Sequence, residues 1–192
     1  MNKLIGLFSF IVFTTVLSGW SFESEEWPGE GVPNYRTKSS NLVFYSQPST
    51  SSPVVSDMNI KAADPLKFVG RRYRTIKTGK VKVLKSIDLN GRFFGNVDYL
   101  TSEHYGRIGL KEGPFSLKKG EVIEYLQDRA EGNCFIRKNE EVIDVDWCAW
   151  MPGASGNDGK YQLLSAPVTE MWGQVENNEK RGWLLINDES VQ

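Results

Sequence analysis

Trp172-Gly173-Gln174-Val175-Glu176-Asn177-Asn178-Glu179-Lys180-Arg181-Gly182-Trp183-Leu184-Leu185-Ile186 places two apolar, β-prone arms around a polar run that contains two asparagines and ends in glycine. Trp, Val, Leu and Ile fit a pleated, half-buried surface, and Asn and Gly accept the backbone angles of tight turns. The stretch therefore predicts a β-hairpin with a loop of about five residues. An upstream stretch has the same layout. Phe93-Phe94-Gly95-Asn96-Val97-Asp98, returning through Tyr105-Gly106-Arg107-Ile108-Gly109-Leu110, parallels Met171-Trp172-Gly173-Gln174-Val175-Glu176 and its return Gly182-Trp183-Leu184. Repetition of one layout is the mark of duplicated units.

The arm Trp172 to Val175, a turn, and then Gly182-Trp183 followed by aliphatics resembles the closing strands of the bacterial Src-homology-3-like domain family. Leu42-Val43-Phe44-Tyr45-Ser46, then Gln47-Pro48-Ser49-Thr50-Ser51-Ser52-Pro53 and Val54-Val55, is similar to the family's opening strand and Pro-Ser loop, though without the usual Arg and Gly around that loop. Phe115 to Leu126 resembles the family's Lys-Gly-x-x-Val segment and is echoed by Ile76-Lys77-Thr78-Gly79-Lys80-Val81. The resemblance implies small β-barrels that recognise cell-wall peptidoglycan or short peptides through a groove of aromatics and polar loops. Tyr45, Tyr105, Trp147, Trp150 and Trp183 are the candidates for that groove, with Trp172 assigned to the core.

Runs of apolar residues recur at period two, and Gly, Pro, Asn and Ser interrupt each of them, so no helix longer than a turn or two is expected after the leader. The expected architecture is all-β, two small Src-homology-3-like β-barrels in tandem after a signal peptide, with one larger β-domain as the alternative. Residues 1–19 form the signal peptide, 20–33 a flexible linker, 34–111 the first domain and 112–192 the second. Gly113-Pro114 marks the boundary, and Asp88-Leu89-Asn90-Gly91 reads as a hairpin turn.

The leader assignment rests on Lys3, then the uncharged, mostly apolar run Leu4 to Leu17, then the small residues Ser18, Gly19 and Ser21. Roughly 14 residues fall short of the about 20 that a spanning helix needs, so the expectation is an exported protein, periplasmic or extracellular, with no stable membrane anchor after cleavage. A retained anchor is the competing reading. Trp20 stands where a lipoprotein box would need Cys. Phe22 to Pro33 is acidic and rich in Gly and Pro, which is linker composition.

Removing residues 1–19 takes away one of the 23 cations and none of the 24 acids, so the mature charge is about −2. Such a balance gives no general attraction to nucleic acid. The basic stretch is local: Arg71, Arg72, Arg74, Lys77, Lys80, Lys82 and Lys85 lie in a span without acids. Lys80-Val81-Lys82-Val83 alternates at strand period and sends its lysines to one face. That face reads either as a patch for an anionic wall polymer or acidic partner, or as an ordinary solvated surface whose charge is balanced by acids elsewhere.

Cys134 and Cys148, both in the exported part, predict a disulfide in an oxidising compartment, with a metal pair or a reactive thiol as alternatives. Its loop of about 15 residues corresponds to roughly 3 kcal/mol in the chain-entropy model. Cys134-Phe135-Ile136-Arg137 and Val142 to Cys148 predict paired strands around Lys138-Asn139-Glu140, tied by the disulfide at the open end. No metal site or cofactor is expected, since the single histidine, His104, has no Cys or His beside it. It reads as a surface-loop residue. Asp144 and Asp146 share a strand face, a layout that can describe glycan cleavage but more often describes exposed strand acids. The protein is expected to be a noncatalytic binding module. The alternative is a periplasmic inhibitor or immunity-type protein that binds another protein such as a wall hydrolase.

Overall fold

The structure is a computed structural model that describes residues 21–26, 35–38, 41–105, 110–151, 156–177, 179–188 and 190–191. The expected leader, residues 1–19, lies outside these, as do residues 27–34 of the expected linker and residues 106–109 of the upstream echo. Described residues form an all-β protein of two sheets with a single-turn helix, α1, at Ser102–Tyr105. The five-stranded sheet runs β12 (Lys180–Ile186), β11 (Val168–Asn177), β2 (Phe68–Lys77), β1 (Phe22–Ser24), β5 (Tyr99–Leu100). The seven-stranded sheet runs β10 (Tyr161–Ser165), β3 (Gly79–Val83), β7 (Val122–Asp128), β8 (Cys134–Lys138), β9 (Glu141–Val145), β4 (Ile87–Gly95), β6 (Lys111–Leu117).

The closing hairpin forms as β11 and β12, paired from Met171↔Ile186 to Asn177↔Lys180. Its loop is shorter than expected, because the ladder continues through the polar residues and leaves only 178 and 179 between the strands. Glu179 takes a φ of +64°, the left-handed geometry that two-residue hairpin loops require. The predicted β8–β9 hairpin also forms, with Asn139 at φ +52° and Glu140 at +65°, and the Cys134–Cys148 disulfide ties its open end with Cα atoms 6.0 Å apart.

β2 and β3 are separated by Thr78 alone, and the chain passes there from one sheet to the other. The partner ribbon turns the same corner: Val168 of β11 faces Lys77, while Ser165 of β10 faces Lys80. Gly79 permits the turn. A Cβ on it would lie 2.6 Å from the Ser165 carbonyl oxygen and 2.7 Å from the Pro167 nitrogen, backbone atoms that cannot move aside cheaply.

The segment expected to be a flexible linker contains a central strand. β1 lies between β2 and β5, with Phe22 fully buried against Phe135 at a centroid distance of 5.4 Å. Composition suggested otherwise because Glu23 is acidic; its carboxylate is held by Arg72 at 2.9 Å and Arg74 at 2.6 Å. Gln127, also fully buried, fastens the two sheets: its amide donates to the Tyr73 carbonyl at 2.6 Å and accepts from the Ser24 hydroxyl at 2.8 Å.

All seven strands of the larger sheet feed one apolar cluster, from Tyr161 on β10 to Leu117 on β6, so the sheet curls around its own core. Register shifts in β4, β7 and β10 supply the bending. Neither sheet closes into a barrel among the described residues. A second cluster, Phe22, Leu100, Leu126, Phe135 and Val142, fills the space between the sheets. A third packs Phe44, Met58 and Leu66 on the five-stranded sheet.

Each sheet draws strands from both halves of the chain, and a division at 111/112 would cut β6. Gly113-Pro114 sits inside that edge strand, where proline's missing N–H is harmless. Asn90-Gly91 is likewise strand, not turn: β4 is paired on both sides, and a Cβ at Gly91 would lie 2.6 Å from Ile143 Cγ2. Leu42 to Ser46 forms no continuous strand. Tyr45 makes isolated bridges to Val54 and Trp183.

Candidate functional site

The five aromatics expected to line a groove do not gather on one surface. Trp150 is 3% exposed and packs between Tyr125 and Tyr161 in the core of the larger sheet. Trp183 is 7% exposed; its amide is bridged to Tyr45, and the Arg72 guanidinium lies 5.3 Å from its ring. Neither offers a ring face to a ligand, because both fill interior volume that a small sheet needs. Tyr45 is half-buried against Trp172, itself fully buried as expected. Tyr105 is half-buried between Phe94 and Phe135.

Trp147 differs from the other four. It is 51% exposed, and its backbone has a φ of +60°, which costs a bulky residue about 1–3 kcal/mol. Its surroundings impose that conformation. The next residue, Cys148, is bound in the disulfide and donates its N–H to Gly132 at 2.7 Å, while the Trp147 N–H donates to Asn133 Oδ1 at 3.1 Å. The indole lies over Gly132, where a Cβ would come within 3.0 Å of the ring.

Immediately before Trp147, Asp146 lines a cleft of about 360 Å³ together with Asn90, Gly91, Arg92, Glu112, Gly113 and Asp144. Strand register explains the grouping. Arg92 of β4 lies opposite Glu112 of β6 on one side and Asp144 of β9 on the other, so three charged side chains form a row across the outer face. Asn90, two residues from Arg92, points to the same face, and Asp146, just past the end of β9, also lines the cleft.

The row extends beyond the cleft. Arg92 Nε donates to Glu112 Oε1 at 2.6 Å. Arg129 donates through Nη1 to Asp144 Oδ2 and through Nε to Glu26 at 2.9 Å, with its guanidinium 5.1 Å from the Phe135 ring and 5.2 Å from that of Tyr105. Asp144 is 6% exposed, and its Oδ1 has no hydrogen-bond partner. Burial pushes its carboxyl above the usual aspartate range, although Arg129 pulls the other way. The Tyr105 hydroxyl is also buried without a partner, and burial raises its pKa. A roomier hollow of about 550 Å³ lies against Leu42, Phe44 and residues 54–61. None of its lining residues leaves a buried polar side-chain atom unsatisfied.

The basic stretch does not form one patch. Arg72 and Arg74 turn to the acids in and just after the first strand: Arg74 is buried on Glu23, and Arg72 spans Glu23 and Glu25. Arg71 is half-buried. Lys77, Lys80, Lys82 and Lys85 are exposed, with Val81 and Val83 buried between them as the alternation predicted. His104 accepts the Thr101 N–H at Nδ1, 3.0 Å away, and so caps the helical turn. No group of three or more metal-ligating side chains is arranged to hold an ion among the described residues.

Asp144 and Asp146 were expected on one strand face; β9 ends at Val145, before Asp146, but both acids line the cleft. Arg92, Glu112, Arg129 and Asn90 were not, because only register across three strands brings them there. No family model, curated protein or solved structure matches this chain. No helix among the described residues is long and apolar enough to cross a membrane.

Proposed function

We propose that this chain is a noncatalytic, exported binding module whose ligand is a peptide or the peptidoglycan of the cell wall, taken up by the corner formed by Trp147 and the adjoining polar cleft. Trp147 carries the reading. An exposed indole held in a costly backbone conformation by a disulfide and two hydrogen bonds is pre-set for stacking, and it loses little freedom on contact. Sugar rings and extended peptides both suit such a surface. The disulfide favours an oxidising compartment and thus export, and the Src-homology-3-like resemblance favours binding over catalysis.

The test is co-sedimentation of the purified protein with isolated sacculi at low and high salt, alongside a peptide library. Retention at high salt, lost in Trp147→Ala with an unchanged melting curve, is the expected result. Recovery no better than beads alone, with no peptide bound, would end the proposal.

One observation favours a second reading, an inhibitor or immunity-type protein that binds another protein. Lys80 and Lys82 project from the outer face of β3, with Lys77 and Lys85 exposed beyond its two ends, a surface suited to an acidic partner. Stoichiometric co-purification from envelope extracts, weakened by Lys80→Glu and Lys82→Glu, would favour it.

A further inference from the structure

We propose that the cleft on the outer face of β4, β6 and β9 is a subsite for a primary ammonium group of the ligand, with Asp144 and Asp146 as its acceptors; the inference rests on the binding-module reading and names the chemistry the cleft selects.

Charge is the first argument. Four carboxylates, Glu26, Glu112, Asp144 and Asp146, share this row with two guanidinium groups, Arg92 and Arg129. Each cation is already engaged: Arg92 on Glu112, Arg129 on both Glu26 and Asp144. Asp146, exposed at the mouth, adds negative charge and has no ion-pair partner among the described residues. The site is short of positive charge, so a cationic ligand gains where an anion would be repelled.

The second argument is the orphaned oxygen. Asp144 is more than nine-tenths buried, lines the cleft, and spends one carboxylate oxygen on Arg129 while Oδ1 has no donor. A buried acceptor without a partner keeps the full cost of its lost hydration, more so when charged, and a ligand N–H directed at it recovers that loss. Shape adds a third constraint. The directly paired Gly91 and Gly113 contribute backbone to the floor of the cleft, beside the Arg92, Glu112 and Asp144 row. At about 360 Å³ the cleft is small for a whole oligosaccharide but adequate for an aminoalkyl end group. An ammonium supplies three N–H donors on a compact cation, enough for Asp144 Oδ1, Asp146 and the Asn90 side-chain oxygen together.

The decisive experiment is an NMR titration of the ¹⁵N-labelled protein with n-butylammonium chloride, with n-butanol and tetramethylammonium chloride as controls at matched ionic strength. Saturable shifts confined to residues 90–92, 112–113 and 144–146 with butylammonium alone are expected, weakened about tenfold in Asp144→Asn. If Asp144→Asn does not fold, Asp146→Asn provides the same comparison with a smaller loss. Equal shifts with butanol or tetramethylammonium, no saturation, or unchanged affinity in the folded variants would overturn the assignment. So would an Asp144 carboxyl carbon resonance showing a protonated acid at pH 6 that butylammonium leaves unmoved. Sacculus or peptide binding that survives such an outcome would retain the binding module and discard only its ammonium subsite.

Discussion

Glu23 Oε2 lies 2.6 Å from Arg74 Nε, and both side chains are less than a tenth exposed. The pair joins β1 to β2 from residues 51 apart in sequence. Removing one partner of such a pair leaves a buried charge uncompensated. Glu23→Ala is expected to cost about 3–5 kcal/mol in urea unfolding, whereas Glu23→Met with Arg74→Met recovers most of it. A loss below about 1 kcal/mol in the single variant would show that the strand is not anchored this way.

Trp147 and Trp150, three residues apart, should respond in opposite ways to truncation. Trp150→Ala empties core volume between Tyr125 and Tyr161 and is expected to cost about 3–5 kcal/mol. Trp147→Ala removes a half-exposed ring and should leave the melting temperature within a few degrees of wild type while abolishing ligand retention. Thermal melts and sedimentation on the same two preparations separate the roles.

Gly79 sits where two ribbons cross from sheet to sheet. Gly79→Ala puts a methyl 2.6 Å from a backbone oxygen, and the corner must open to accept it. The expected loss is about 1–3 kcal/mol, readable as a lower urea midpoint with an unchanged slope.

Asp128 gives the molecule a pH-dependent weakness. Burial raises its pKa above the ordinary 3.8, and its Oδ1 is buried without a partner. The folded state therefore binds this proton more tightly than the unfolded chain. The contribution is full below about pH 3.8 and is lost as pH rises through the raised folded value. Asp128→Asn should accordingly stabilise the protein at pH 7 and bring no gain at pH 3, as followed by thermal melts across that range. An equal gain at both pH values would contradict this account.

What could be read from sequence was whatever is local. The closing hairpin, the alternation of Lys80-Val81-Lys82-Val83, the Asn139-Glu140 turn and the disulfide all follow from neighbours within about fifteen residues. β1 could not be read. Three residues carry no usable period, and Glu23 and Ser24 are buried because of Arg74 and Gln127, 51 and 103 residues away. Asn90-Gly91 misled for a related reason: its turn chemistry yields to two flanking strands whose register the sequence does not display. Aromatic identity, too, says nothing about which side of a curled sheet a ring occupies, so Trp150 and Trp183 looked as available as Trp147. The cleft was half visible, as Asp144 and Asp146, since two acids two residues apart are close whether or not the strand runs through both.

The crossing of β2–β3 with β10–β11 also bears on how the chain reaches its folded state. Strands about 90 residues apart must find each other before either sheet has its middle, and β1 cannot be clamped until β2 is in place. Loop-closure entropy is spent early and repaid late, which belongs with folding in milliseconds to seconds rather than microseconds. Neither half of the chain contains a complete sheet to serve as a template for the other, so a fragment ending at residue 111 should remain a substrate for chaperones and proteases until the rest of the chain arrives.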